Sequence, residues 1–416
     1  MRRDGEVDVA LDDRPNNLRS MLAEAKNLSE LMVDLAYASV YFGDIEMAAE
    51  VTELEEQMSD LVHDMRQICV LAVRKPREAE GMSSVLQVVS AIERIGNDAV
   101  DISRIVTHKL GIPAELVADL SDAAEVSHRV LVSDGSHMAN RPVADFELPV
   151  ATGMRIFAVR RGRQWITAVD GDFIMLSADV LFLRGSPAGI VRLRELAGAA
   201  AWQPPRQPED PMVSDLDRAV DVLVEMKDLS EAAVGLAYSS LVLGNRGLAA
   251  EVHQLETRLD DMNDRLELWV LRAAREDLDP SPLRGLLHLA KAAKDLGDQA
   301  KQMTWVVEQG ESVHPILELA LGESDEVVVE FPIAAGSVAD GHTLVELELN
   351  LEPGFTVLAI RRGQRYIYRP RGVQMLYAGD EIIASGPDEG REQLAARFGW
   401  QLLRDSETGE DELVPT

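Results

Sequence analysis

Apolar residues over the first hundred positions recur three and four apart. Leu18, Met21, Leu22, Ala25, Leu28, Met32 and Leu35 keep this step and predict an amphipathic helix that Gly43-Asp44 interrupts. Leu54, Met58, Leu61, Met65 and Ile68 alternate four and three apart. They predict a bundle seam on a second helix from Asp44 to Arg74, closed by Pro76. Leu86, Val89, Ile92, Ala99, Ile102 and Val106 predict a third helix from Glu78 to Leu110, stopped at Gly111-Ile112-Pro113. Short connections make this an antiparallel three-helix bundle. The period then changes to two, with strands expected over 155–159, 164–168 and 180–183 and a helix from Ala188.

The same succession returns at a constant offset of 201, residues 20–198 against 221–399. Asn27-Leu28-Ser29-Glu30 answers Asp228-Leu229-Ser230-Glu231, and Arg160-Arg161-Gly162 answers Arg361-Arg362-Gly363. In the second copy Leu255, Leu259, Met262, Leu266 and Trp269 form the seam. Strands are expected over 327–331, 356–360, 365–368 and 381–385, and a helix over 388–398. The fold class is therefore α+β, multidomain, by tandem duplication. The expected divisions are bundles at 15–112 and 213–312, strand-rich domains at 120–200 and 323–403, a Pro-rich linker at 201–212 and a disordered acidic tail at 404–416. A tandem duplicate supplies its own pseudo-dimer. The strand-rich domains are expected to pair, and the bundles to meet as a six-helix unit.

Charge narrows the function. The 416 residues hold 72 acids against 41 Lys and Arg, a net charge of −31. Nucleic acid and anionic membrane surfaces are disfavoured, since both need basic patches. The acid surplus and scarce lysine suit a saline cytoplasm, where salt screens self-repulsion. Cys69 is the lone cysteine, so it is expected to be a small core residue. No apolar run approaches the roughly 18 residues of a membrane span, and the N-terminus does not read as a signal peptide. A cytoplasmic chain is expected, peripheral to a membrane only through a partner.

Few motifs carry chemistry. The histidines do not cluster, and neither a Walker loop nor a Gly-x-Gly-x-x-Gly motif after a strand is present, so no cofactor and no enzyme activity are expected. Glu46, Glu50, Glu53, Asp60 and Asp64 share one helix face. That is either a hard-metal site or a solvated acidic face, and the second is expected. Arg160 and Arg161 with Trp165, and Arg361 and Arg362 with Tyr366, sit at strand ends. Adjacent arginines beside an aromatic ring can hold an anionic, base-containing ligand by charge and stacking; the alternative is a hairpin with solvated arginines.

The second strand-rich domain resembles the C-terminal ligand domain of TrkA and RCK regulators. The resemblance rests on Glu326–Val329, Gly341-His342-Thr343-Leu344, the stretch from Gly354 to Gly363, the turn Ala378-Gly379-Asp380 and Ser385-Gly386. The first copy has Arg141-Pro142 for His342-Thr343, and Ser177-Ala178-Asp179 at the turn. The bundles resemble PhoU repeats through Glu93-Arg94-Ile95-Gly96-Asn97-Asp98-Ala99, degraded to Lys294-Asp295-Leu296-Gly297-Asp298-Gln299-Ala300 in the second copy. Asn97 and Lys294 each depart from the acids of the PhoU metal motif. The resemblance implies archaeal proteins tied to potassium or divalent cation transport: a homodimeric, non-enzymatic regulator of a membrane cation transporter. Its small anionic or nucleotide effector would bind between the paired strand-rich domains. A phosphate-signalling adaptor, or an orphan metal- or small-molecule-binding protein, is the alternative.

Overall fold

The computed structural model describes residues 17–76, 78–113, 116, 119–120, 123, 125–203, 215–274, 280–309, 313–322, 326–363, 365–404 and 411–415. The linker prolines 204, 205 and 208 lie outside the described residues.

Three long helices, α1 (Leu18–Phe42), α2 (Ile45–Ala72) and α3 (Glu78–Thr107), form the first bundle. Asp44 does not join α2; its carboxylate accepts from the backbone N–H groups of Glu46 and Met47 and caps the helix. The expected seam is the core, with Met47, Met58, Met65, Ile92 and Ile95 fully buried. Cys69 is buried beside them.

The first strand-rich domain contains β1 (Val126–Leu131), a short helix α4 (Leu148–Thr152), β2 (Met154–Arg161), β3 (Gln164–Ile166), β4 (Val180–Gly185) and α5 (Ile190–Leu196). Its strands form an antiparallel sheet in the order β1-β4-β2-β3. β4 reads as a continuous apolar run because both faces are covered. Leu181 and Leu183 pack toward α5, while Phe182 joins the core of the bundle.

The second half repeats these elements. Its bundle is α6 (Asp215–Val242), α7 (Arg246–Ala273) and α8 (Ser281–Gln309), followed by α9 (Pro315–Leu321). Its strand-rich domain is β5 (Glu326–Pro332), α10 (Leu344–Leu347), β6 (Thr356–Arg362), β7 (Arg365–Tyr368), β8 (Glu381–Pro387) and α11 (Arg391–Arg397). The sheet order is β5-β8-β6-β7, matching the first strand for strand. Asn245 caps α7 as Asp44 caps α2.

The acidic tail departs from expectation. Asp411–Pro415 forms a strand, β10, antiparallel to β9 (Trp400–Arg404), with Leu402 opposite Leu413. Leu413 packs against the core of the second domain. Two apolar residues in register suffice to seat a strand whose neighbours are acidic. Residues 405–410 lie outside the described residues.

The halves meet about a pseudo-two-fold axis. Lys26 lies 5.2 Å over the Tyr238 ring and Lys227 lies 5.4 Å over the Tyr37 ring. Each lysine and each tyrosine is its partner's equivalent at the offset of 201. Ser29 and Tyr238 share a hydrogen bond of 2.9 Å between their hydroxyls, and one apolar core runs through both bundles. The six-helix unit expected from the duplication is therefore formed.

At the crossing of α3 and α8, Asp98 is buried near its own counterpart, Gln299. Burial, with Asp295 and Asp101 nearby, pushes its carboxyl up to about 8, against the pull of Lys291 and Gln299. A carboxyl raised in the folded state binds a proton that the unfolded chain has released. Its contribution to stability is full at low pH and is lost as pH climbs through the folded value. We expect the stability of Asp98→Asn to gain on wild type by roughly 1 kcal/mol per pH unit between pH 5 and 7. Urea unfolding at several pH values measures this; a gap that stays constant with pH contradicts it.

Candidate functional site

Of the six residues expected to read a ligand, Arg160, Trp165 and Tyr366 lie where a sheet meets its own bundle, whereas Arg161, Arg361 and Arg362 pair within their own strand-rich domain. Arg161 makes a bidentate pair with Asp179, at 2.9 and 2.7 Å, and donates to the Ile174 carbonyl. Arg362 does the same with Asp380, at 2.7 and 2.6 Å, and donates to the Met375 carbonyl. The side chains of Asp179 and Asp380 are 1% and 3% exposed, so each arginine neutralises a buried charge. Both carboxylates also accept a backbone N–H, from Leu176 and Tyr377. Arg160 reaches across to Asp44 at 3.2 Å, stacked over Trp165 and Phe182. Arg361 pairs with Glu330 and Glu381. Tyr366 stacks on Tyr368, and its hydroxyl accepts from the Asn245 side chain. The hairpin arginines and aromatics thus tie sheet to sheet edge and sheet to helix cap.

The strand-rich domains do pair, and they leave a cleft of about 1040 Å³ between them. None of the six predicted residues lines it. The pairing turns on two glycines. A Cβ on Gly153 would stand 2.1 Å from the Asn350 carbonyl oxygen, and one on Gly354 would stand 2.2 Å from that of Pro149. These four positions are again two equivalent pairs, so one contact is made twice about the axis.

At the floor of the cleft lies an ion cluster that the sequence reading missed. Arg184 pairs with Asp34 of α1, with Glu125 at 3.3 Å and with Glu326 at 3.6 Å. Arg155 pairs with Glu326 at 3.4 Å. Burial works against the Glu326 carboxylate, but Arg184 and Arg155 hold it below the usual range. Glu125 and Glu326 are equivalents, whereas Asp34 and Arg184 face Gly235 and Ser385 in the other copy. An acid and a base that are both present in one copy and both absent from the other are a signal that alignment of the two halves contains.

On the bundles, the carboxylates of Glu256, Asp260 and Asp298 converge within 4.8 Å. Lys294 lies 2.8 Å from Asp260 and 3.1 Å from Asp298, and Lys301 lies 2.9 Å from Glu256. Two ammonium groups stand where a cation would otherwise be drawn. Among the described residues, no helix is long and apolar enough to cross a membrane.

Comparison with known proteins agrees with this architecture. The model of the TrkA-C domain matches residues 128–198 and 328–399, and that of the PhoU domain matches 22–106 and 223–306. No curated protein matches the chain. Among solved structures, PhoU from Pseudomonas aeruginosa is 15% identical, covering 73% of this chain and 94% of its own, with a TM-score of 0.37. The GsuK RCK domain is 16% identical, covering 68% of each chain, with a TM-score of 0.17. The GsuK channel bound to NAD is 16% identical, covering 83% of this chain and 65% of its own, with a TM-score of 0.18. The chain is a tandem PhoU and TrkA-C protein, with two domains of each family in alternation.

Proposed function

We propose that this chain is a non-enzymatic regulatory subunit of a membrane cation transporter, and that a small-molecule effector enters the cleft between its TrkA-C domains. The observation that carries the reading is the position of the cleft. It lies on the pseudo-two-fold axis, walled by both TrkA-C domains and by helix α6 of the second PhoU domain. A ligand there contacts both copies at once, so it can favour one relative orientation through its differential affinity. The ties from Arg160 to Asp44 and from Asn245 to Tyr366 fasten each sheet to the cap of a bundle helix. Reorientation of the sheets would reach the bundles through these ties.

The PhoU domains favour a second reading, an adaptor for a phosphate transporter. Cross-linking the chain in membranes of its own organism, followed by purification of the linked species, separates the two. A cation permease supports the proposal; a phosphate-transporter ATPase supports the alternative and overturns the first.

A further inference from the structure

The crossing of α3 and α8 sets a residue against its own counterpart. Asp98 and Gln299 are equivalents at the offset of 201, so they meet where the pseudo-two-fold axis passes between the bundles. Each is 9% exposed. Asp98 Oδ2 and Gln299 Oε1 are both buried, and neither accepts a hydrogen bond among the described residues. A buried acceptor left unmet is costly, and native interiors contain few of them. Two such oxygens at one place lack the same thing, a donor.

The two sides of the axis differ in charge. On one side Arg94 donates to the Gln302 side chain at 2.6 Å. The equivalents of these two on the other side are Asp295 and Asp101. Both are acids, and both act on Asp98. Asp295 pairs with Lys291, and Asp101 pairs with Arg104. Asp98 is the third carboxylate of the group and has no ion pair among the described residues. Tyr37 of α1 also faces it, with a hydroxyl that burial raises and keeps neutral. Around Asp98 therefore stand Tyr37 of α1, Asp101 of α3, and Lys291, Asp295 and Gln299 of α8. Burial and two neighbouring carboxylates disfavour a third negative charge there.

We propose that the crossing of the bundles is a binding site for a single proton, carried by Asp98 and shared with Gln299, that holds the two PhoU domains closed on each other. The protonated carboxyl donates its O–H to Gln299 Oε1, and the Gln299 amide N–H donates to Asp98 Oδ1. Acid and amide close as a ring, and both unmet acceptors are filled. Release of the proton to solvent leaves Gln299 Oε1 without a donor and sets three carboxylates against Lys291 and Arg104. The domains then part at the crossing. The raised carboxyl, at about 8, sets the window. The site is filled below that value and empties as pH climbs through it. It owes nothing to the cleft, so it stands apart from the effector reading.

The test is infrared difference spectroscopy of the full chain against Asp98→Asn as a function of pH. Wild type is expected to show the C=O band of a protonated carboxyl that the variant lacks, and to lose it near pH 8. Asp295→Asn removes a neighbouring negative charge and should move the loss down by about one pH unit. Lys291→Gln removes a positive charge and should move it up. Both variants keep Asp98, so these shifts can be read even if Asp98→Asn fails to fold. Small-angle scattering reads the closure. Wild type should expand as the band is lost, whereas Asp98→Asn, whose amide N–H donates to Gln299 Oε1 at every pH, should not. Absence of the band in wild type at neutral pH overturns the proposal. So does an expansion that Asp98→Asn shows equally, or a loss of the band at the same pH in wild type, Asp295→Asn and Lys291→Gln.

Discussion

Replacing Gly354 with alanine is expected to cost about 3 kcal/mol or more and to separate the two TrkA-C domains. The backbone there is left-handed, with φ of 86°, which costs an L side chain about 1–2 kcal/mol by itself. The added methyl group also collides with the Pro149 carbonyl oxygen, a backbone atom that cannot turn aside. Gly153→Ala meets the same two penalties, at φ of 62° and against Asn350. Both variants should therefore lose stability by similar amounts in urea unfolding, and both should lose the cleft. A tolerated alanine at either position would contradict the two-fold pairing of the domains.

Adjacent arginines should differ sharply. Arg362→Ala leaves the buried Asp380 carboxylate without its counter-ion and is expected to cost about 3 kcal/mol. Arg361→Ala removes a pair between side chains each about one third exposed and is expected to cost under about 1 kcal/mol. The same contrast should hold for Arg161→Ala, which strands Asp179. Urea midpoints of the single variants measure the difference. Equal losses at positions 361 and 362 would mean that the bidentate pair is not what holds the hairpin to the turn.

The offset of 201 and the helical periodicities made the bundles, both sheets and their pairing legible, because burial imposes a spacing that a sequence carries openly. The first strand, Val126–Leu131, escaped notice because His128 and Arg129 interrupt its alternation. The short helix Pro315–Leu321 was too brief to establish a period. The site was harder to read. Arginines beside aromatics look alike whether they await a ligand or neutralise a carboxylate. Asp179 and Asp380, their partners, were visible only as turn residues. The cleft itself depends on what is missing at Gly235 and Ser385, and an absent side chain leaves no motif.

The most direct test of the account is cation flux through the transporter encoded nearest to this chain's gene, reconstituted in vesicles with and without the purified protein. The account predicts that adding the chain changes flux, and that an effector alters the change with wild type but not with Gly235→Asp/Ser385→Arg, which copies the Asp34–Arg184 ion pair into the second half of the cleft. Flux that is the same with and without saturating protein, effector present or absent, would contradict it.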